Sequence, residues 1–371
     1  MIIHPHASMP LKAALLFALL LLFHLGSPSL IRAGQDRPAY LLEEPPLPNT
    51  LFLCGEAVPL ERRHVREMLD RELTIAVWDR AQVFMWLKRA GRFFPHIEQR
   101  LAEEGLPDDL KYLAVAESAL IPYIRSPRGA MGHWQFMPGT ARQIGLRKDR
   151  WIDERRDFET ATEAAMRYLK KLYEIFHCWS LTMAAYNCGD ARLKKEMKIQ
   201  RATTFYQLDL PRETERYIFR IAAIKLILEG PALYGFHIPP DRVYKPIPCD
   251  RVKVRVPSTV PIADVAEALD TDFKTLKELN PHILGDYMAS GRYTVRVPPG
   301  QGQRLSAVLK TMGRKVAATG GTIKGNTYVV QPGDTLSRIS RRSGVPIQTL
   351  RELNGIRGSL IRVGQRIKLA P

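Results

Sequence analysis

Long apolar runs are scarce in this 371-residue chain. One stands near the start, residues 13–23 behind Lys12, with Gly26, Ser27 and Pro28 after it. It is short for a membrane span and has the shape of a secretory signal. Residues 1–33 are therefore expected to be a signal peptide. The alternative is an uncleaved anchor, which would leave the chain associated with a membrane. Cysteine is also scarce, at four positions: Cys54, Cys178, Cys188 and Cys249. None directly follows the apolar run, which argues against lipid attachment there. None stands at paired metal-ligand spacing, so no metal site is expected. Cys178 and Cys188 bracket a helical stretch of roughly 15 Å at 1.5 Å per residue. A disulfide needs Cα atoms within about 7 Å, which disfavours that pair; a Cys54–Cys249 bridge stays open. Acidic residues are in deficit, 38 Asp and Glu against 55 Lys and Arg, for a net charge of +17. Such a balance bears on partners: nucleic acid, a membrane surface or an anionic polymer. Export makes nucleic acid the poor candidate of the three.

Alternating strand runs are lacking between residues 61 and 230. Apolar residues recur there at helical spacing, as in Val65, Met68 and Leu69, then Val77, Ala81, Phe84 and Leu87. Gly91, Pro95, Gly105, Pro107 and Gly189 punctuate the stretch. Residues 61–235 are expected to form one all-α domain, entered through an extended Pro-rich leader at 34–60. Beyond Gly230 proline clusters and short β-rich runs begin. Residues 301–326 are expected to be a linker, flexible from about 311.

The tail contains an internal repeat. Thr275-Leu276-Lys277-Glu278-Leu279-Asn280 recurs as Thr349-Leu350-Arg351-Glu352-Leu353-Asn354. At the same offset Val265 matches Ile339, Gly291 matches Gln365 and Arg292 matches Arg366. Two units, 242–300 and 327–371, share a strand–helix–helix–strand plan. The second carries Tyr328-Val329-Val330-Gln331-Pro332-Gly333-Asp334-Thr335-Leu336, Leu353-Asn354 and Val363-Gly364-Gln365-Arg366-Ile367. It resembles LysM, a small βααβ carbohydrate-binding module. That resemblance implies binding of N-acetylglucosamine chains between the loop at Gly333, Asp334, Thr335 and Leu336 and the loop from Asn354 to Ile361. Read without it, Asp334 or Thr335 caps a helix and Asn354 makes a turn. In the first unit Ser258-Thr259-Val260-Pro261 replaces the signature turn, so that unit is expected to be a degenerate LysM-like spacer.

In the helical domain, Pro107, Asp108 and Asp109 suit a helix start. Leu110, Leu113, Ala114 and Glu117 then share one face. A carboxyl on an apolar face is partly desolvated, which raises its pKa and keeps a proton at hand near neutrality. Taken alone, such a glutamate is more often a paired core group. Its surroundings change that reading. Glu117-Ser118, then Ser126-Pro127-Arg128-Gly129-Ala130-Met131-Gly132-His133-Trp134-Gln135-Phe136-Met137-Pro138-Gly139-Thr140-Ala141, resembles the lytic transglycosylases of lysozyme-like fold. Ala184-Ala185-Tyr186-Asn187-Cys188-Gly189 and Glu213-Thr214-Glu215-Arg216-Tyr217 match two further signatures of that family. With the LysM tail, the resemblance is to the membrane-bound lytic murein transglycosylase D group. It implies a multidomain chain: an all-α lysozyme-like catalytic domain followed by small α+β LysM-type modules.

The resemblance implies that Glu117 is the single catalytic acid/base. Ser126 would hydrogen-bond near the reacting sugar, Gln135 and the Gly129–Gly132 turn would wall the saccharide cleft, and Ser118 and Phe136 would join them in binding substrate. Tyr186 and Asn187 would position Glu117 and substrate, and Tyr217 would lie in the cleft near the acid. His133 departs from the family, where leucine is common, and is read as a surface or wall residue; titration in the cleft is the alternative. Cys188 replaces a small residue. Hydrolytic glycosidases use two carboxylates, and the motifs hold one. Asp153, Glu154, Asp157, Glu159 and Glu163 read as loop and helix-start residues. The expected reaction is therefore non-hydrolytic cleavage of the β-1,4 bond between N-acetylmuramic acid and N-acetylglucosamine of peptidoglycan, giving 1,6-anhydro ends. It needs no metal or organic cofactor, and the expected place is the periplasm or cell envelope. The rivals are a hydrolytic muramidase on the same fold and an inert wall-binding protein.

Overall fold

The structure, a computed structural model, describes residues 44–318, 323–330, 334–362 and 364–370. The proposed signal segment and Gly333 lie outside the described residues. The helical domain begins earlier than its helices. Residues 52–57 form a hairpin, β1 (Phe52–Leu53) with β2 (Glu56–Ala57). Leu51, Leu53, Val58 and Leu60 bury themselves in the helical core. The segment read as an extended leader is thus part of this domain in its described portion.

Helix α1 (Arg63–Trp78) buries Val65, Leu69 and Leu73, a stripe of one residue per turn. Helix α2 (Arg80–Glu103) starts at Asp79, whose side chain accepts from Gln82 N at 3.2 Å. It runs through both Gly91 and Pro95, which were read as punctuation. Gly91 has a packing reason: a Cβ there would lie 2.2 Å from Val243 Cγ1. The segment leaving the domain crosses at that point, with Tyr244 N donating to Lys88 O at 3.0 Å. A 3-10 turn (Asp108–Leu110) leads into α3 (Lys111–Ser118), and α4 (Pro138–Gln143) follows a long loop. Then come α5 (Phe158–Phe176), α6 (Trp179–Cys188), α7 (Asp190–Gln200) and α8 (Arg212–Glu229). Trp179 to Ala185 of α6 are all buried, the mark of a helix enclosed on every side. Helix α8 packs against α1, α3 and α6.

The two tail units repeat one plan. In the first, β3 (Asp250–Val256) pairs antiparallel with β6 (Gly291–Val297), Val254 opposite Tyr293. Between them lie β4 (Val260–Pro261), α9 (Ile262–Ala268), α10 (Phe273–Leu279) and β5 (Tyr287–Met288). Helix α11 (Gly302–Ala318) then packs Leu305 and Leu309 into the same core. Residues 302–318 are therefore helix, where a linker was expected. In the second unit β7 (Ile323–Lys324), β8 (Thr327–Val329) and β9 (Arg366–Lys368) form a sheet beside α12 (Leu336–Ser343) and α13 (Ile347–Asn354). One asparagine staples each unit. Asn280 Nδ2 donates to Leu276 O and Arg296 O, and its Oδ1 accepts from Arg296 N. Asn354 makes the same three bonds with Leu350 O, Lys368 O and Lys368 N. The staples equate Arg296 with Lys368. The offset of the last strand is therefore two residues shorter than the one that aligns the helices, so Gly291 does not match Gln365.

The first unit is fastened to the helical domain rather than strung from it. Ile152 and Ile283 form a β-bridge, and Ile152 joins the core of the first unit. Asp157, which caps α5, pairs with Arg296 (2.5 and 3.0 Å) and with His282 Nδ1 (3.0 Å). Burial alone would raise the Asp157 carboxyl, but bonds from His282 and Arg296 outweigh it and hold it well below the ordinary range. A buried pair like this fixes relative placement more than it adds stability.

Candidate active site

Asp108 and Asp109 do more than favour the helix dipole. Asp109 accepts from Cys54 N at 2.7 Å and from Lys225 Nζ at 2.6 Å, so α3 is tied to the hairpin and to α8. The helix ends abruptly because Ala119 and Leu120 both take positive φ (50° and 57°). That conformation is uncommon for residues other than glycine. It turns the chain so that residues 121–137 return over the end of α3.

Glu117 sits in the last turn of α3. Its Oε1 accepts from the buried Tyr217 hydroxyl at 2.5 Å. Desolvation lifts its pKa from the ordinary 4.5 to about 7, against the Tyr217 bond and the Arg220 charge, with Glu213 pushing it up further. A carboxyl poised there holds a proton for donation and, once ionised, takes one back. Beside it opens a cavity of about 340 Å³, lined by Glu117, Trp86, Ile121, Glu72, Arg216 and Arg220 among others.

The remaining expected residues fall into two groups. Tyr186 stands close: the Glu117 charge helps raise its pKa, after desolvation. Its hydroxyl, however, donates to Trp134 O at 2.7 Å and so pins the 121–137 loop to α6. Asn187 Oδ1 accepts from Thr214 Oγ1 at 2.9 Å, linking the end of α6 to the start of α8. Ser118, Ser126, Gly132 and Gln135 shape the loop itself. Buried Ser118 Oγ points at Ala114 O and His133 O. Ser126 closes a turn by accepting from Ala130 N at 3.0 Å. Gln135 Nε2 donates to Gly132 O and Ile124 O, and its φ is +46°. Gly132 is obligatory here: φ is +80°, and a Cβ would fall 1.9 Å from Arg155 O. Phe136 is buried and packs edge-on against Tyr168, with Tyr186 5.8 Å away. It supports the cleft from behind.

His133 is fully buried, with its ring against Phe93 (4.6 Å between centroids) and Phe158 (4.9 Å). Burial pushes it down to about 3, so it stays neutral. Neither a surface position nor titration in the cleft describes it. The four cysteines are free, so the Cys54–Cys249 bridge does not form in this structure.

Several contributors had no local signal. Glu56 in the hairpin accepts from Trp179 N (2.6 Å) and Ser180 N (3.2 Å), capping the helix that carries Tyr186 and Asn187. Arg155 donates to Gly129 O and Phe136 O while paired with Asp153, which anchors the loop from beneath. Glu72, only 3% exposed, holds Arg216 at 2.7 Å and faces Arg220 at 3.9 Å. The spacing of Arg216 and Arg220, one turn apart on α8, was the available hint; their shared partner, 144 residues before Arg216, was not.

In the tail module Thr335 caps α12 by accepting from Arg338 N. Asp334 bonds the Tyr328 hydroxyl (2.6 Å) and Arg342 (3.1 Å). Leu336 is buried, Ile361 packs on the same core, and both amide hydrogens of Asn354 serve the staple.

Three family models match the chain along its length. Residues 95–208 match the transglycosylase SLT domain, 251–314 the LysM-like domain of lytic transglycosylase MltD, and 328–370 the LysM domain. The helical domain thus carries a stretch similar to the transglycosylase SLT domain, and the two units behind it are similar to LysM-type domains. The chain is similar to membrane-bound lytic murein transglycosylase D of Escherichia coli (strain K12), 32% identical over 292 residues. That match covers 76% of this chain and 64% of the relative, so the chain spans less than two thirds of that protein. The tail alone is 49% identical over 43 residues to the probable peptidoglycan endopeptidase LytE of Bacillus subtilis (strain 168), covering 12% of this chain and 13% of that one. Among solved structures, the 70 kDa soluble lytic transglycosylase of Escherichia coli matches with a TM-score of 0.33 at 22% identity. It covers 46% of this chain and 29% of that one.

Proposed function

We propose that this chain cleaves the β-1,4 bond between N-acetylmuramic acid and N-acetylglucosamine in peptidoglycan without water, leaving 1,6-anhydro ends. The observation that carries the reading is Glu117: one carboxyl beside a cavity, held by Tyr217, with its pKa near 7. Glu117 protonates the leaving glycosidic oxygen as the bond to C1 breaks. Ionised, it then takes the proton from the C6 hydroxyl of the same sugar, whose oxygen closes on C1. The proton returns to Glu117 and no atom is gained from water.

A hydrolase would want a second carboxylate free to activate water or to attack. Glu72 shares the cavity but is committed to Arg71, Arg216 and Arg220. Asp153 is committed to Arg155, and Asp157 to Arg296. Tyr217 orients Glu117; Tyr186, Gln135, Ser126 and Gly132 hold the loop that forms the cleft around it, and Asn187 ties the helix of Tyr186 to the one that carries Tyr217.

The terminal module retains the enzyme on the wall. Its side chains at Thr335, Leu336 and Asn354 build the module, which leaves the backbone of the loops at 334–336 and 355–361 to meet N-acetylglucosamine. Leu360, 80% exposed in the second loop, offers an apolar face to a sugar ring. The site of action is the cell envelope, reached by export, with membrane attachment only where the signal segment stays uncleaved. Mass spectrometry of products from purified peptidoglycan is the test. Products one water lighter than a lysozyme digest are expected; ordinary reducing ends would make the enzyme a hydrolase.

A further inference from the structure

We propose that the trough between the helical domain and the first LysM-type unit binds the carboxylate-bearing peptide stems of the strand being cut. The proposal rests on the reading of the chain as a peptidoglycan-cleaving enzyme. The trough is a cavity of about 530 Å³ that shares Arg92, Phe93 and Arg156 with a second of about 370 Å³. One wall comes from α2 and the residues after Glu117, the other from α10 and the segment that joins the domains. Neither domain alone makes it.

Its chemistry differs from that of a sugar cleft. The floor is apolar, with Phe93, Leu120, Pro122 and Ile247. The rim carries Arg89, Arg92, Arg156, Lys274 and Lys277 against the single carboxylate of Glu278. Three of the cations donate to main-chain carbonyls: Arg89 to Ala119 O, Arg92 to Lys245 O and Lys277 to Gly285 O. A carbonyl orients a cation without cancelling its charge. Arg156 Nε is buried with no hydrogen-bond partner. Lys274 is 83% exposed and meets Glu278 at 3.7 Å. Burial first, and then the Arg156 charge, depress Lys277 against the pull of Asp286. Short aliphatic side chains and free carboxylates, the substance of a peptide stem, match an apolar floor under a cationic rim.

The trough also lies in the right place. Ile121 lines both it and the cavity beside Glu117. Arg89 grips the carbonyl of Ala119, two residues beyond the acid. A stem on the sugar next to the scissile bond would leave the cleft over this loop.

The test uses the full chain with Arg156→Gln and Lys274→Gln together, since neither side chain donates a hydrogen bond to the main chain in the structure. The substrates are soluble strands with stems intact and the same strands stripped of stems by an amidase. On stem-bearing strands KM should rise roughly tenfold with kcat unchanged, from two exposed or partly exposed charge contacts. On stripped strands the change should stay within about twofold. Equal losses on both substrates, or no loss on either, overturn the stem site. So does a variant whose only defect is weaker binding to vesicles of anionic lipid. If the unaltered chain cuts neither strand, the proposed function itself falls and the stem site with it. If it cuts both and the variant is indifferent to stems, only the stem site falls.

Discussion

Replacing Glu117 by Gln separates catalysis from folding, and the structure gives both a sign. The amide keeps the shape of the carboxyl and can still accept from the Tyr217 hydroxyl. It carries no proton to give and has little basicity. General acid–base catalysis is typically worth about 10² to 10⁴ in rate. In the proposed reaction both half-reactions use one group, so the loss should reach the upper end of that range. Stability should move the other way. The folded carboxyl titrates near 7 rather than at the ordinary 4.5. The native state therefore binds more protons than the unfolded chain between those values, and the wild type loses stability as pH rises through that window. At about 1.4 kcal/mol for each pH unit between those values, the loss has a ceiling of roughly 3.5 kcal/mol above pH 7. The amide mimics the protonated form and escapes that loss. Thermal or urea denaturation at pH 4 and pH 8 reads it: the variant should match the wild type at pH 4 and exceed it at pH 8. Equal stability at both values would show that the carboxyl is not desolvated. Near-normal turnover would show that another group is the acid.

Three further perturbations follow from named contacts. Arg220→Gln removes a charge that lowers the Glu117 pKa, so the alkaline limb of kcat/KM, where the acid is lost, should move to higher pH; an unmoved limb would place that limb on another group. Gly132→Ala puts a methyl into Arg155 O and should cost several kcal/mol of stability or displace the loop, seen as a lowered melting temperature and lost cleavage. A chain ended after Ala318 keeps α11 on the first unit. It should still cut soluble strands while binding insoluble wall more weakly and with less dependence on salt; loss of cleavage in a folded product would refute that division of labour.

The sequence by itself determined the class of fold and the modular order, and it singled out Glu117 as the candidate acid. Those are local properties: a 3.6-residue period, a carboxyl on an apolar face, a turn sequence and a repeated hexapeptide are all written within a few residues. The sequence also suggested why Tyr217 and Tyr186 matter, because their motifs stand at family spacing. Only the tertiary structure decided what those side chains touch. Tyr217 meets Glu117 across 100 residues, while Tyr186 bonds the Trp134 carbonyl instead. The leader became a hairpin because Leu51, Leu53 and Val58 have a core to enter and Glu56 has a helix end to cap, neither of which is visible from a Pro-rich segment. Gly91 read as a break and proved to be room for Val243. His133 read as a surface or wall residue because nothing nearby told of Phe93 and Phe158 closing over it. The docking of the first LysM-type unit rests on Asp157 and Arg296, 139 residues apart. Pairings at that range depend on how packed elements bring distant charges together, and the order of residues along the chain carries no trace of it.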